Sequence, residues 1–331
     1  MAGRITSNIL TTNYLRNMKR NLSNMKTLQN QLSSGKQISK ASDNPYKASR
    51  SMQLNAEISY NKQYNENIKD TSNWLDTTDT ALSQIGNVFG RIETLLVSAG
   101  NGTFGPDERT SIQDEVKEKV NELSQILNTS FDGSYIFGGT KTDSKPVTVV
   151  NGVLQYADKT GAGIGNDGNN GTSTPVAITD TTTLTQLQSD LKVDISQGVT
   201  TNYNKTAVKV LEFKDKDGKA INVSDLLSNI ITDLGSGGTQ SNLTTIHLKD
   251  IQSVTANLLQ QRSEVGSFQN RMDSAQQNNE TQNYDMTDIL SKTEDIDFAE
   301  TTMNYSMMQT VYTASLQTSA KILPMTILSY L

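Results

Sequence analysis

Histidine and cysteine, which supply many catalytic and metal-binding side chains, are almost absent from this sequence. The 331 residues contain one histidine, His247, and no cysteine. A Ser-His-Asp triad would need His247, and a zinc site needs several His or Cys ligands. His247 lies between Ile246 and Leu248, at the start of a predicted helix. We predict that His247 is not catalytic, that the chain is not an enzyme, and that it has no metal site.

Glu294, Asp295 and Asp297 form an acidic cluster near the start of the last predicted helix. Two neighbouring carboxylates can act as general acid and general base. Acids at the beginning of a helix also interact favourably with the helix dipole. The second role needs no further residues, and it is the one we predict.

Two glycine-containing motifs resemble ligand loops. GIGNDG, residues 163–168, has the spacing of a dinucleotide-binding loop, which must follow a strand and open a helix; here Asn and Gly follow. DKDG, residues 215–218, begins like a calcium loop, but Leu226 and Leu227 lie where the closing Glu belongs. We interpret both motifs as turns and predict no cofactor.

The charge is distributed unevenly. Residues 1–50 hold nine Lys or Arg and one acid, a net charge of +8, whereas residues 285–331 hold six acids and two Lys, a net charge of −4. Because the basic residues are spread evenly, they favour pairing of the two ends, or of neighbouring copies, over nucleic-acid binding.

No stretch reaches the 18 or more apolar residues of a membrane span, and the N-terminus lacks the apolar region of a cleavable signal peptide.

The first predicted helix is amphipathic and ends at a well-marked loop. Apolar residues recur at heptad spacing: Leu15, Met18, Leu22, Met25 and Leu32. Gly35 ends the helix, as a C-terminal glycine does. Asn44 and Pro45 then restart it, because Asn caps helices and Pro is favoured at the first helical position. The joint comprises Gly35, Ile38, Ser42, Asp43, Asn44 and Pro45.

Further helices follow on both sides of a different middle segment. The second helix is predicted from Pro45 to about Ala99, roughly 80 Å long at 1.5 Å per residue. Gly86 and Gly90 weaken it and leave a bend or break there open. A third helix begins at Pro106. From about residue 141 to about 238, VTVVNGVLQY and VKVLEFKDKDGKAINV predict hairpins. One short helix is predicted near Ser224–Leu234.

Helical periodicity returns near Leu243, and a break is predicted in NNETQNYD, residues 278–285. The final helix is predicted from about Met286 to Leu323. We predict that the terminal helices form an assembly interface; its C-terminal members are Phe298, Tyr305, Tyr312, Ile322, Leu323, Ile327 and Leu328. Met303, Met307 and Met308 suit an adaptable interface or an ordinary core equally well.

The fold class is therefore mainly α, with long N- and C-terminal helices paired in a coiled-coil or helical bundle and a small β-rich domain inserted. We expect residues 1–44 with 285–331 to form terminal axial helices. Residues 45–140 with 241–284 should form a helical bundle, and residues 141–240 an outward β-rich insert. Isolated helices are marginal in water, so we expect the ends to be largely disordered in the monomer and to fold on assembly.

Several stretches resemble the flagellin family, and within it the hook-associated proteins that join filament to hook. QLSSGKQISKASDNP is similar to the family's joint, and TALSQIGNVFGRIETLLVSAGNGT to the long helix after it. VGSFQNRMDSA and EDIDFAETTMNYSMMQ resemble its C-terminal signatures. NTSFDGSYIFGGTKT and LQTSAKILPMTILSYL favour the junction proteins over flagellin.

The resemblance implies a structural, self-assembling role in the bacterial flagellum. The implied partners are copies of the same chain, a second hook-associated protein on the hook side, flagellin on the filament side, and an export chaperone on the C-terminal helix. It implies an extracellular place at the hook–filament junction, reached without a cleavable signal peptide, and neither nucleic-acid binding nor membrane insertion. Two alternatives stay open: a flagellin-type filament subunit, and a secreted adhesin that uses the β insert.

Overall fold

The structure is a computed structural model that describes residues 7–100, 105–165, 179–235, 238 and 240–322. The helices are α1 (Ser7–Ser34), α2 (Pro45–Ala99), α3 (Pro106–Leu127), α4 (Thr181–Gln188), α5 (Ala207–Leu211), α6 (Val223–Leu234), α7 (Gln240–Asn242), α8 (Leu248–Glu294) and α9 (Phe298–Ile322). A π-helical turn, Leu243–His247, leads into α8. The strands are β1 (Ser130–Phe131), β2 (Ser134–Tyr135), β3 (Val147–Val150), β4 (Val153–Ala157), β5 (Gly163–Gly165), β6 (Lys192–Ser196), β7 (Val199–Asn202), β8 (Glu212–Lys214) and β9 (Ala220–Asn222).

The chain divides into two compact units. The terminal unit comprises residues 1–62 and 281–331, and the central unit comprises residues 63–280. In the terminal unit, α1 pairs with α9. The predicted mainly α fold with long terminal helices and a small β insert is confirmed. The three-part division into axial helices, bundle and insert stays a prediction.

The second helix is continuous from Pro45 to Ala99, its predicted bounds, and it does not break at Gly86 or Gly90. Helix α2 runs for 55 residues without interruption. A β-carbon added at either glycine would meet no atom within 4 Å. The two glycines therefore weaken the helix only through their backbone entropy, which the packing of the buried face of α2 offsets.

The break predicted at residues 278–285 is wrong, because α8 continues to Glu294. The segment NNETQNYD holds neither Gly nor Pro, and polar residues alone do not end a helix. The break lies at residues 295–297. There Asp297 accepts hydrogen bonds from the amides of Ala299 and Glu300, at 2.8 and 3.1 Å, and so caps α9. An Asp followed three residues later by a Glu is a helix-start pattern that the sequence displays.

The middle segment contains short antiparallel sheets. Strands β3, β4 and β5 form one sheet, with Val150 opposite Val153 and Val147 opposite Tyr156. Asn151 and Gly152 have φ angles of +53° and +81° in the tight turn between β3 and β4, which confirms the first predicted hairpin. The separate pairs are β1–β2, β6–β7 and β8–β9.

The second predicted hairpin is shorter than expected. Residues 207–211 form helix α5, which starts where the Thr206 hydroxyl accepts from the amide of Lys209 at 3.3 Å. Only β8 and β9 remain to pair across the DKDG turn. Helix α6 is confirmed within one residue of its predicted bounds, whereas α4, capped by Asp180, was not predicted.

The core of the central unit is shared between the helices and the β insert. Buried residues of α2, α3 and α8, such as Phe89, Leu123 and Val265, belong to the same cluster as Leu154 of β4 and Ile195 of β6. Burial of apolar area stabilises a fold by about 25 cal/mol per Å². The insert therefore owes part of its stability to the helices on which it packs.

Candidate functional site

The joint after α1 is held by a backbone bridge to the segment between α8 and α9. The amide of Gln37 donates to the carbonyl of Glu294 at 2.5 Å, and the amide of Ile296 donates to the carbonyl of Gly35 at 3.1 Å. Lys36 and Asp295 are paired as in an antiparallel sheet. The two breaks in the terminal unit therefore form one site, although 258 residues separate Lys36 from Glu294 along the chain.

Gly35 has a backbone conformation that glycine adopts more easily than any other residue. Its φ is +71°, in the left-handed region. Its amide donates to the carbonyl of Gln31 at 2.8 Å, which closes the end of α1. The predicted helix stop at Gly35 is therefore present in the structure.

The restart at α2 also follows the predicted capping pattern. The Asn44 Oδ1 accepts from the amide of Lys47 at 3.1 Å, and Pro45 is the first residue of the helix. Asp43 Oδ2 accepts from the amide of Lys40 at 3.0 Å, which shapes the turn before the cap. Ile38 is half-buried and Ser42 is exposed.

Glu294 ties the joint to the first turns of α2. Its carboxylate accepts from Lys36 Nζ at 2.5 Å and from the hydroxyl of Ser51, and only 14% of its side chain is exposed. Asp295 accepts from the Ser291 hydroxyl at 2.6 Å, and Asp297 caps α9. Asp297 lies at the start of α9, as the predicted helix-dipole role requires, whereas Glu294 is the last residue of α8, so that prediction is wrong for Glu294.

The paired terminal helices leave much apolar surface uncovered. Leu15 and Leu22 of α1 are 48% and 45% exposed, and Phe298 of α9 is 57% exposed. The other predicted interface residues with described side chains are half-buried: Met18, Met25, Leu32, Tyr305 and Tyr312. The Tyr14 hydroxyl donates to the carbonyl of Ser315 and links the two helices. Ile322 is the last residue of α9, and Leu323, Ile327 and Leu328 lie outside the described residues.

A second apolar stripe on α9 includes Met303 and Met307, for which the sequence left interface and core open, and Val311, which was not predicted. Met303, Met307 and Val311 follow one another at four-residue spacing and are 65%, 61% and 43% exposed. Side chains four apart lie on one face of a helix. Met307, Met308 and Val311 line a groove of about 400 Å³ with Leu28 of α1. The four-residue spacing was the signal that could have identified this stripe.

The other candidates, His247 and the two glycine-containing motifs, take part in a hydrogen bond, a turn and a strand. His247 Nε2 lies 2.8 Å from Asp233 Oδ2, and Asp233 also accepts from Asn242 Nδ2 at 3.2 Å, so the histidine joins the end of α6 to the π-helical turn. Residues 215–218 form the turn between β8 and β9. Gly163–Gly165 is strand β5, and the rest of GIGNDG lies outside the described residues.

Within the described ranges, no cluster of three or more potential metal ligands occurs. In those ranges, too, no helix is long and apolar enough to cross a membrane.

The terminal helices are long, pair with each other and carry exposed apolar stripes. Hydrogen bonds hold the loop after α1 to the segment between α8 and α9. These features define a helical structural protein. Two models of one family match the chain. The bacterial flagellin N-terminal helical region matches residues 5–142, and the bacterial flagellin C-terminal helical region matches residues 248–331. The chain belongs to the flagellin family, whose members are structural proteins of the bacterial flagellum.

Known relatives include both flagellins and hook-associated proteins. A flagellin of Clostridium tyrobutyricum is 24% identical and covers 91% of this chain and 94% of its own. The flagellar hook-associated protein 3 of Salmonella typhimurium is 29% identical over 130 residues, which are 39% of this chain and 41% of the relative. The crystal structure of flagellar hook-associated protein-3 from Legionella pneumophila matches with a TM-score of 0.56 and 15% identity, over 73% of this chain and 97% of that one. That likeness shows that the two chains share a fold.

Proposed function

We propose that this chain joins filament to hook in the bacterial flagellum and assembles with copies of itself through its terminal helices. The observation that carries the proposal is the apolar surface that the α1–α9 pair leaves exposed, including Leu15, Leu22, Met303 and Met307. Large exposed apolar patches mark interaction sites. The relation to hook-associated protein 3 supports the junction role.

Assembly through such a surface supplies its own driving force. Each exposed apolar side chain that becomes buried against a neighbour contributes about 1.5–3 kcal/mol when burial is complete. Contacts that pair two different faces of one chain, and whose rotation does not close a ring, give helical assemblies. In this proposal the terminal helices form an inner axial layer and fold fully only when neighbours cover them.

The hydrogen-bonded joint after α1 has a role in the same mechanism. Residues Gly35–Pro45 connect the axial helix α1 to α2, and Glu294 and Ile296 hold that connection by hydrogen bonds and an ion pair. A loop held by such bonds fixes the direction of the helix that follows it. We assign to this joint the connection between the inner and outer helical layers.

The proposed partners follow from the junction position. They are a second hook-associated protein on the hook side, flagellin on the filament side, and an export chaperone on the C-terminal helix before assembly. The proposed location is extracellular, and export proceeds without a cleavable signal peptide.

A filament subunit is the second candidate, favoured by the match to a flagellin over 91% of this chain. Deletion of the coding sequence separates the two, with electron microscopy of the cells and an assay for flagellin in the medium. Bare hooks with flagellin lost to the medium support the junction role. Missing or thinned filaments without such loss support the filament role. Normal filaments overturn both and leave the adhesin alternative.

A further inference from the structure

A surface cleft of about 520 Å³ lies in the central unit, where α2, the β1–β2 hairpin and the β6–β7 pair meet. The side chains relevant to binding are Asp70 and Trp74 of α2, Phe131 and Asp132 of the hairpin, Lys192 of β6, and Tyr203. Its volume lies within the 300–1,000 Å³ of typical small-molecule sites. The assembly surface of the terminal helices does not include these residues.

One wall of the cleft is aromatic. The ring centroids of Trp74 and Phe131 lie 6.2 Å apart, and those of Trp74 and Tyr203 lie 5.8 Å apart. Both pairs are edge-to-face, with interplanar angles of 83° and 82°. Phe131 and Tyr203 are half-buried, so part of each ring faces the cleft. Rings held in this way offer a rigid apolar surface at little further entropy cost.

The rim carries polar groups that the protein itself does not use. Asp70, Asp132 and Lys192 are exposed, and within the described part of the chain none of their side chains has a hydrogen bond or an ion pair. The indole nitrogen of Trp74 is buried rather than exposed at the rim, and it has no hydrogen-bond partner in the described part of the chain. A buried donor without an acceptor costs about 1–3 kcal/mol. Burial raises the pKa of the Tyr203 phenol above its ordinary value and so further favours the protonated form.

The walls are fixed relative to one another before any ligand arrives. Asp132 and Gly133 have φ angles of +48° and +77°, in the tight turn of the β1–β2 hairpin. The Asn67 amide donates to the carbonyl of Asp194 at 3.2 Å, which ties α2 to β6. A site preformed in this way loses less free energy to ordering when it binds.

We propose that this cleft binds a neutral saccharide. Asp70 and Asp132 repel an anionic ligand, and Lys192 offsets part of their attraction for a cation, so a neutral ligand binds without a compensating charge. Sugar hydroxyls both donate and accept, which matches carboxylates, an ammonium group and a phenol around one opening. The C–H faces of a sugar ring can pack on Phe131 and Tyr203.

The test uses the full-length chain and its single tryptophan, Trp74, which lies in the cleft wall. Tryptophan fluorescence is recorded while glucose, galactose, N-acetylglucosamine or maltose is added, and saturation-transfer NMR on the same samples detects contact independently. At least one sugar should give a saturable change. Asp132→Asn should weaken that binding about tenfold or more, since a charge-assisted hydrogen bond contributes on that scale. Asn suits the positive φ of this position, so the variant keeps the turn.

Asp273→Asn is the matched control, because Asp273 is an exposed acid of α8 that does not line the cleft. It should bind like the parent chain. Absence of saturable binding by both methods, up to about 100 mM of every sugar, would overturn the proposal. Equal weakening by Asp273→Asn would do so too, since it would mean a non-specific charge effect. A response to tetramethylammonium chloride without any response to sugars would instead identify a cation site and also overturn it.

Discussion

The ring of Phe298 covers Gly35. A β-carbon added to Gly35 would lie 3.6 Å from Phe298 Cζ, which is van der Waals contact. Gly35 directly follows α1 and Phe298 is the first residue of α9, so the end of one terminal helix packs on the start of the other. The contact explains why two breaks far apart in the sequence act as one joint.

Gly35→Ala should destabilise the joint through its backbone rather than through a clash. Its φ of +71° costs a non-glycine residue about 1 kcal/mol, whereas the added methyl group has room. Amide hydrogen exchange of peptides covering residues 30–44 and 290–300 should become faster. Unchanged exchange in both peptides would show that the joint does not need the left-handed conformation.

Gly90→Ala should raise the free energy of unfolding, whereas Gly35→Ala should lower the stability of the joint. The two variants form a matched comparison. Gly90 lies inside α2, and a β-carbon there meets nothing within 4 Å. Replacing a helical glycine by alanine stabilises by about 0.5–1 kcal/mol, because the unfolded chain loses conformational freedom. The midpoint of chemical denaturation should rise. A fall would indicate that α2 bends at this position in solution.

Glu294→Gln should loosen the joint modestly and in a salt-dependent way. The charge on Glu294 is needed for the pair with Lys36, whose side chain is 52% exposed. Such pairs contribute about 0.2–1 kcal/mol and are screened by salt. The amides of Gln37 and Ile296 should exchange faster than in the parent chain at low salt, with the difference shrinking at high salt. Lys292→Gln, which removes an exposed pair with Asp288, is the control and should leave these amides unchanged.

The buried cation Lys205 should make the central unit sensitive to acid. Lys205 is 4% exposed, pairs with Glu264, and lies 5.4 Å from the centroid of the Phe268 ring. The hydrogen bond from Lys205 lowers the pKa of Glu264 below its ordinary value of 4.5. The resulting stability is fully present above the pKa of an unfolded glutamate. It is lost as the pH falls through the lower folded-state pKa.

Glu264→Gln should therefore lower the free energy of unfolding at pH 7 by about 1–2 kcal/mol, less than for a fully buried pair, because Glu264 is 43% exposed. The variant and the parent should converge at low pH. Denaturant titrations across that range measure the difference. Glu122→Gln, at an exposed pair with Lys119, should be nearly neutral. A difference that persists below the folded-state pKa would mean that charge is not the cause.

Met307→Lys should block self-assembly without unfolding the subunit. Met307 is 61% exposed and lines the groove between α1 and α9. A lysine buried at an intersubunit contact without a partner would be costly, whereas the same lysine in the free subunit stays in water. Sedimentation should show loss of assemblies with an unchanged circular dichroism spectrum. Gln309→Lys, at an exposed polar position of the same helix, should assemble normally; equal loss in both variants would argue against the groove.

Local signals were sufficient for helices and turns that carry their own capping chemistry. Gly35 ended α1, and Asn44 and Pro45 started α2, at the predicted residues, and Asn151-Gly152 defined the β3–β4 turn. The errors and the points left open came from residues whose effect depends on packing. Gly86 and Gly90 do not interrupt a helix whose other face is buried, and Thr206 starts a helix where alternating residues predicted a strand.

By itself, the sequence determined the long amphipathic terminal helices, the positions of the joint and the first hairpin, and the lack of histidine and cysteine clusters. These depend on residue type and on spacing within one or two turns of helix. Only the tertiary structure decided that Gly35 meets Phe298, that Glu294 pairs with Lys36, and that Trp74, Phe131 and Tyr203 share a cleft. Such contacts join residues far apart in the chain, and no local pattern encodes them, because they depend on how whole elements pack.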